Sequence, residues 1–457
     1  MPYRRIPTIV ALIICSGTAG SEPGTCLGCH ADKESGFSAA HAFAATDCVA
    51  CHAGNKDAEL EADAHDGMLA FPGDLSNAQR ACGTCHANRV SSVPNSLMHS
   101  GRGIVHKTRL LLDGTTGPPN TVNLQSLGHT VADSMLRKQC ASCHLGQSKT
   151  SHAHDVTSDR GGGCLACHIN DYPEGAHPAL SINVSDGRCF GCHSRSGRIS
   201  LSYAGLAEVD FSDLRLADGR PVARMPADVH YLAGMSCRSC HTGDDLMGSA
   251  GDATHQREAV DIACTDCHDS HADDDNHERL TCASCHSQWA PQCFGCHMSY
   301  DAEGEQWDHV DRKMTPGRWH DRLWDVRNAL PALGVNQSGK IELFVPGMIM
   351  TVAHPSWEQE RFFRMFAPLS PHTIGRSRSC ESCHRSSEAL GLGRGRLVEG
   401  QDEYSFEPAN DILQDGLAAD AWTNLDNSLG GRAPIPGQRP LNEREMKTVL
   451  DAEIPEP

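Results

Sequence analysis

The chain has 457 residues and a formal charge of −19, because 58 acidic side chains outnumber 39 basic ones. Nucleic-acid binding depends on neutralising phosphates with Lys and Arg, so this balance excludes nucleic acid as an expected partner. Aromatic residues make up only 5% of the chain, whereas it has 23 Cys and 27 His. An acidic surface favours solubility and basic partner proteins but says little about the fold.

The first twenty residues have the order of a secretory signal peptide. Arg4 and Arg5 form a basic start, and an apolar run from Ile6 to Ile14 follows before a series of small residues. This run is shorter than the roughly 20 apolar residues that cross a bilayer. We therefore predict a signal peptide at residues 1–20, with cleavage near Ala19 or Gly20.

A lipoprotein anchored through Cys15 is the alternative at this end of the chain. The bulky Ile14 before it disfavours this interpretation, since such sites require a small residue there. No later stretch has enough consecutive apolar residues for a membrane-spanning helix. We expect an exported mature chain without a membrane span, in the periplasm, outside the cell or on the outer membrane.

Twenty-two of the 23 cysteines form eleven C-x-x-C pairs, and a histidine follows each pair directly. Chance would give on the order of 0.1 such motif at this composition. We number the motifs first to eleventh along the chain. Their cysteines are Cys26 and Cys29, Cys48 and Cys51, Cys82 and Cys85, Cys140 and Cys143, Cys164 and Cys167, Cys189 and Cys192, Cys237 and Cys240, Cys264 and Cys267, Cys282 and Cys285, Cys293 and Cys296, and Cys380 and Cys383. The motif histidines are His30, His52, His86, His144, His168, His193, His241, His268, His286, His297 and His384.

This spacing is typical of covalent haem attachment. Two thiols form thioethers with the two vinyl groups of one porphyrin, and the histidine that follows provides the proximal ligand of the iron. Zinc knuckles and disulfides are the alternatives for cysteine pairs in general. Neither requires a histidine at the same position in every motif. The sequence therefore predicts eleven c-type haems. Their porphyrin rings would also fill the part of the core that aromatic side chains occupy in most proteins.

Sixteen further histidines are available for the other face of each iron. As distal ligands we predict His41, His65, His99, His129, His152, His177, His230, His255, His277, His309 and His372. Only one of His152 and His154 is expected to bind, and His152 is the choice. The weaker candidates are His106, His271, His320 and His354, and Met98 or Met135 is an alternative for one unusual site. Ligation by two histidines would give the irons low reduction potentials, since imidazole favours ferric iron more than thioether sulfur does.

The dense motifs predict a mostly helical and irregular fold with little β-sheet, in which short helices and long loops wrap around a haem array. We divide it into residues 21–194 with six motifs, 195–300 with four, 301–400 as a Trp-containing cap with the eleventh motif, and 401–457 as a loosely ordered tail.

Two local elements are predicted outside the motifs. The alternation of Ile199, Leu201 and Tyr203 favours a short strand or hairpin arm. Asn442 followed by Glu445 has the spacing of a capping box for a last helix that ends near Leu450.

Three stretches resemble multihaem cytochromes of metal-respiring bacteria that act in extracellular electron transfer and occur in operons for selenite and tellurite reduction. They are HYLAGMSCRSCHTGDDLMG from His230, CASCHSQWAPQCFGCHMSYD from Cys282 and PHTIGRSRSCESCHRSSEALGLG from Pro371. The resemblance runs from about Cys82 to Arg396. It implies electron transport in the cell envelope and iron ligation by two histidines. The distal ligands that it implies are His177, His230, His255, His309 and His372.

Three functions are compatible with these motifs. The first is an electron conduit, which would exchange electrons with other cytochromes or an outer-membrane complex. The second is a reductase of an oxyanion or a metal, which requires one iron with an open face; no C-x-x-C-K variant of the motif is present to indicate one. The third is a subunit of a polymeric haem filament, although the negative charge opposes end-to-end association.

Overall fold

The computed structural model describes residues 26–30, 39–115, 117, 122–149, 160–170, 177–194, 200–249, 251, 253–269, 277–322, 325–401 and 403–454. The predicted signal peptide and the candidate ligands His152, His154 and His271 lie outside these residues. The chain divides into two compact units, the first formed from residues 1–91, 148–154 and 161–184, and the second from 92–147, 155–160 and 185–457.

The first unit contains short helices that carry the first, second, third and fifth motifs. They are α1 (Cys26–Cys29), α2 (Val49–His52), α3 (Glu61–Ala64), α4 (Leu75–Ala81) and α5 (Gly83–Ser92), with 3₁₀ turns at Ala39–Ala45 and Gly163–Ala166. The carbonyl oxygen of Gly73 accepts a 2.9 Å hydrogen bond from the Cys164 amide, which ties the fifth motif to the start of α4.

The second unit carries the other seven motifs and has further short helices. They are α6 (Leu97–Ser100), α7 (Arg102–Leu112), α8 (Val131–Met135), α9 (Asp186–His193), α10 (Ser200–Tyr203), α11 (Val229–Leu232), α12 (Gly243–Leu246), α13 (Gln256–Ala259), α14 (Cys282–His286), α15 (Glu381–His384) and α16 (Glu443–Leu450). A π-helical turn at Leu136–Cys140 continues α8, and 3₁₀ turns lie at Val93–Asn95, Leu124–Ser126, Ala141–Cys143, Cys237–Ser239 and Cys264–Asp266.

Strands occupy much of the second unit. They are β1 (Leu206–Glu208), β2 (Val222–Arg224), β3 (Ala290–Phe294), β4 (Cys296–Asp308), β5 (Lys313–Arg322), β6 (Asp325–Ala329), β7 (Ala332–Val335), β8 (Ile341–Ala353), β9 (Arg361–Pro368), β10 (Gly395–Glu399), β11 (Tyr404–Pro408) and β12 (Arg439–Pro440). Six of them form one sheet in the order β12-β7-β8-β4-β5, with β9 also paired to β8. Only the β4–β8 pairing in this sheet is parallel.

The prediction of little β-sheet is therefore wrong. Ten of the eleven motifs lie on helical turns, as expected, but the long motif-free interval after His297 forms a sheet with its own apolar core. In that core the indole ring of Trp422 stacks on Phe366 at 5.1 Å and contacts Phe344 at 4.6 Å, and all three side chains are fully buried. Without a haem motif, this interval must bury its apolar side chains against each other, and the alternating pattern of β4 suits a sheet.

The two local predictions have different outcomes. The final helix is confirmed, because α16 begins after Asn442, has the predicted capping box with Glu445 and ends at Leu450. The predicted strand around Leu201 and Tyr203 is wrong, since both residues lie in α10 and the nearest hairpin is that of β1 and β2. Among the described residues, no helix is long and apolar enough to cross a membrane.

Candidate haem sites

A single helical turn brings both thiols and the histidine of most motifs to one side of the backbone. In seven motifs the amide of the histidine donates a hydrogen bond of 2.8–3.0 Å to the carbonyl of the first cysteine. In the sixth and ninth motifs the whole C-x-x-C-H segment lies within α9 or α14. Residues three and four positions apart share a helix face, so this backbone directs the three side chains toward one porphyrin.

The fourth motif is a variant of this arrangement. Cys140 ends the π-helical turn, and the amide of His144 donates to the carbonyl of Ala141 at 3.2 Å. The imidazole of His144 is buried with its Nε2 atom free of hydrogen bonds. Burial, with a smaller contribution from the neighbouring His99, lowers the pKa of His144 to about 4. The neutral imidazole that results is the form that binds a metal.

Seven motif histidines lie opposite a second histidine, and these are called the seven histidine pairs. The pairs are His30 with His65, His86 with His41, His52 with His177, His144 with His99, His268 with His230, His241 with His372, and His384 with His277. The ring centres lie 6.0–6.3 Å apart in six pairs and 5.0 Å apart in the His99–His144 pair.

These separations suit an iron between the two rings. Two metal–nitrogen bonds of roughly 2 Å, plus about 1 Å from each nitrogen to its ring centre, place two axial imidazoles roughly 6 Å apart. Six pairs have this spacing, and the His99–His144 pair is closer by about one ångström. Because each pair joins a motif histidine to a histidine outside the motifs, the pairing has the pattern of proximal and distal haem ligands.

Hydrogen bonds at Nδ1 orient several of these rings so that Nε2 remains for a metal. His52, His168, His286 and His384 donate from Nδ1 to the backbone carbonyls of Leu69, Ser181, Gly375 and Val449 at 2.8, 3.0, 3.0 and 2.6 Å. Among the distal candidates, His372 donates to the Ser370 carbonyl at 3.0 Å and His230 to the Asp228 carboxylate at 2.8 Å. Histidine ligands of metals commonly make such a second hydrogen bond.

Thiols of different motifs lie next to each other in the first unit. The Cys26 and Cys48 thiols are hydrogen-bonded, Cys51 lies beside Cys82, and the Cys82 and Cys164 thiols are hydrogen-bonded. The Cys82–Cys164 hydrogen bond is the main cause of the raised pKa of Cys82. The first, second, third and fifth motifs thus form a continuous sequence of neighbours, called here the first series.

A second series runs through the second unit. Cys192 Sγ lies 3.8 Å from the carbonyl oxygen of Cys143, which joins the fourth and sixth motifs. The sixth and seventh motifs meet at Cys189 and Cys237, and the seventh and eighth at Cys240 and Cys267. The eighth and ninth meet at Cys264 and Cys282, and the ninth and eleventh at Cys285 and Cys383. Neighbouring motifs in a series are therefore not always neighbours in the sequence.

Most of the motif thiols in the described ranges are not linked by disulfides. Among the described residues, Cys26 and both cysteines of the other ten motifs are outside any disulfide, whereas Cys29 is disulfide-bonded. Within the described ranges, no group of three or more His, Cys, Asp or Glu side chains is arranged to hold a metal ion by itself.

Several exposed apolar side chains flank the candidate ligands. Tyr231 and Leu232, next to His230, are 41% and 72% exposed, and Phe43, near His41, is 49% exposed. They provide apolar surface of the kind that covers a porphyrin face.

Five other candidate ligands have different surroundings. His129 and His320 are exposed, and His320 faces the Asp301 carboxylate at 3.8 Å. The amide of His309 donates to the Arg137 carbonyl at 3.1 Å, and burial lowers the pKa of its imidazole. His106 and His255 lie close together, and burial lowers the pKa of both. In the part of the chain that the structure describes, no motif histidine forms a ring pair with any of these five, and their roles stay predictions.

His354 lies in an aromatic cluster instead of opposite a motif histidine. Its ring centre is 4.7 Å from Tyr300, 5.8 Å from Trp319 and 5.6 Å from Trp357, and its Nδ1 is 2.7 Å from the Ser356 hydroxyl. This environment explains the position of His354 by packing alone.

The sequence left open which motif histidine each candidate distal histidine lies opposite. His230, His277 and His372 each precede a motif closely, yet they lie opposite His268, His384 and His241 respectively. Asp228 was also missed, although its place two residues before His230 is a readable signal for a carboxylate that orients an imidazole.

Comparisons with known proteins give one distant similarity. The chain is 24% identical over 220 residues to the dissimilatory sulfite reductase MccA of Wolinella succinogenes, a match that covers 41% of this chain and 30% of that protein. The chain therefore spans less than a third of the length of that protein, and this distant similarity is to a redox enzyme. No family model and no solved structure matches the chain.

Proposed function

We propose that the protein is an electron conduit of the bacterial cell envelope, in which c-type haems held by the C-x-x-C-H motifs pass electrons along the two series. The two series of neighbouring thiols carry this proposal. Each motif thiol is the attachment point of a porphyrin edge, so contact between thiols of two motifs brings two porphyrin edges together. Bound haem supplies one-electron chemistry between ferric and ferrous iron.

The residues of this chain set the distances and the iron environments. Each of the seven histidine pairs provides two axial imidazoles, and carbonyl acceptors at Nδ1 orient three of these rings, His52, His372 and His384. Ligation by two imidazoles fills both faces of an iron and favours the ferric state, so we expect low reduction potentials. The negative charge of the chain favours basic redox partner proteins.

A combined redox and magnetic experiment tests the proposal. We expect the haems to titrate over one broad low-potential range in spectroelectrochemistry. Neighbouring ferric irons should couple magnetically, so that the integrated low-spin electron paramagnetic resonance signal falls short of the iron content. Independent low-spin signals of full intensity would contradict close contact along the series, and haems confined to high potentials would contradict ligation by two histidines.

A variant tests whether the haems of one series are coupled through their direct neighbours. Substituting Cys282 and Cys285 with alanine removes the ninth haem, which joins the eighth and eleventh motifs. We expect the coupling of the remaining haems to weaken. Substituting Cys26 and Cys29 instead removes the end of the first series and should leave the coupling in the second series unchanged.

Reduction of a small oxyanion is a second candidate function, favoured by the similarity to a sulfite reductase. It requires an iron with an open face. A high-spin ferric signal in the oxidised protein that changes when sulfite is added would support it, and its absence would favour the conduit.

A further inference from the structure

The tenth motif, Cys293 to His297, differs from the other ten because it lies on strands. Cys293 is in β3 and pairs with Val326 of β6. Gly295 then adopts a φ of 72°, a left-handed conformation that suits glycine, and the chain continues directly into β4. Cys296 and His297 are the first two residues of β4.

Consecutive strand residues point to opposite faces of a sheet. The second thiol of this motif, on Cys296, and the imidazole of His297 therefore point to opposite faces. Cys296 is half-buried and packs against the apolar cluster that contains Met298 and Trp319. His297 is exposed, as is Ser299 on the same face of the strand. Attachment of a haem requires the second thiol and the histidine on one side of the backbone, as the helical turns of the other motifs provide.

Hydrogen-bonded strands on both sides hold this conformation. His297 is in register with Arg322 of β5 and with Thr351 of β8, so β4 is an interior strand at this point. Five residues of β3, including Cys293, are paired with β6. A helical turn at Cys293–His297 would break these pairings, which would leave buried backbone groups without partners.

The ninth motif, only a few residues earlier, provides a direct contrast. Cys282 to His286 form α14, and the Nδ1 atom of His286 donates to the Gly375 carbonyl at 3.0 Å.

We infer that the tenth motif carries no haem in the folded protein, which therefore binds ten haems rather than the eleven expected from the motif count. The inference is independent of the proposed conduit, because it rests on the strand pairings of Cys293 and His297.

One tryptic peptide tests the inference, because no Lys or Arg lies between Arg279 and Arg312. Trypsin therefore releases residues 280–312 with the ninth and tenth motifs together. We expect this peptide from the purified holoprotein to carry one haem by mass spectrometry. Two haems on the peptide would overturn the inference.

Matched variants identify which motif carries the haem. With Cys282→Ala and Cys285→Ala, the peptide should carry no haem, and a haem on it would overturn the inference. With Cys293→Ala and Cys296→Ala, the peptide should still carry one haem and the intact mass should show ten. Loss of the haem from this second variant would also overturn the inference, and digestion makes the result independent of whether the variant folds.

Discussion

The buried ion pair between Arg137 and Asp308 offers a quantitative test of how the helical segment before the fourth motif joins the sheet. The Arg137 Nε atom lies 2.7 Å from Asp308 Oδ2, and the two side chains are only 4% and 3% exposed. Replacing Asp308 with Asn removes the charge but keeps an oxygen for the backbone amides of Val310 and Asp311. The substitution therefore isolates the loss of the partner charge.

The expected cost follows from the position of Arg137. Breaking a buried pair by removing one partner costs about 3–5 kcal/mol. Asp311, which is 35% exposed, also contacts Arg137 at 2.5 Å and still neutralises part of the Arg137 charge in the variant. We therefore expect Asp308→Asn to lower the free energy of unfolding by about 3 kcal/mol, at the lower end of that range.

Guanidinium chloride titrations followed by far-ultraviolet circular dichroism at neutral pH measure this loss. The exposed pair of Lys447 and Asp451, with side chains 67% and 49% exposed, is the matched control. Asp451→Asn should cost less than about 0.5 kcal/mol. Substituting both Arg137→Met and Asp308→Leu should cost less than Asp308→Asn alone, since no buried charge is left unpaired. A loss below about 1 kcal/mol for Asp308→Asn would refute the reasoning.

Three further predictions concern ligands, ring geometry and pH. Replacing His372 with Ala should create one high-spin ferric haem by electron paramagnetic resonance, because His372 lies opposite His241. The oxidised protein should show both rhombic and highly anisotropic low-spin signals. The His241–His372 planes are 18° apart, whereas the His277–His384 planes are 83° apart, and perpendicular imidazoles increase the anisotropy of the signal. Replacing Glu445 with Gln should destabilise the protein by about 1 kcal/mol at neutral pH, since solvent screens its exposed partners Arg279 and Arg439, and by little near pH 2, in denaturant titrations at each pH.

The pH dependence follows from the environment of Glu445. Burial alone would raise its pKa, but hydrogen bonds from Arg439, the Asn442 amide and Arg279 lower the pKa to about 2. A carboxyl with a depressed pKa stabilises the fold above its ordinary pKa of about 4.3, and this contribution disappears as the pH falls toward 2. An equal effect of Glu445→Gln at both pH values would contradict this explanation.

The ligand and geometry predictions have their own controls. His354→Ala should leave the spin state unchanged, since that ring contacts Tyr300, Trp319 and Trp357 instead of a motif histidine. An unchanged spin state in His372→Ala would exclude it as a ligand. A His277→Ala variant should reduce the highly anisotropic signals, and a spectrum without such signals in the unaltered protein would contradict the ring angles.

The sheet shows where a sequence prediction failed. Dense cysteine motifs dominate the residues before 298, where nine of the ten motifs lie on helical turns and the tenth lies on strands. After His297 the alternation of buried and exposed residues in β4 was the available signal, but its pairing with β8 joins segments about fifty residues apart. Long-range pairings of this kind depend on the packed core of Phe344, Phe366 and Trp422, which no local pattern specifies.

Four features could be predicted from residue types and short spacings: the eleven C-x-x-C-H segments, the surplus of histidines, the capped final helix and the acidic charge. These features depend on residue type and on spacings of a few residues. Residues that close in the chain have nearly fixed relative positions in a short helix or turn. Three other properties appear first in the folded chain: which candidate histidine faces which motif, the order of motifs in each series, and the strand conformation of Cys293–His297. Those properties depend on contacts between residues far apart in the chain, where packing and sheet pairing override local spacing.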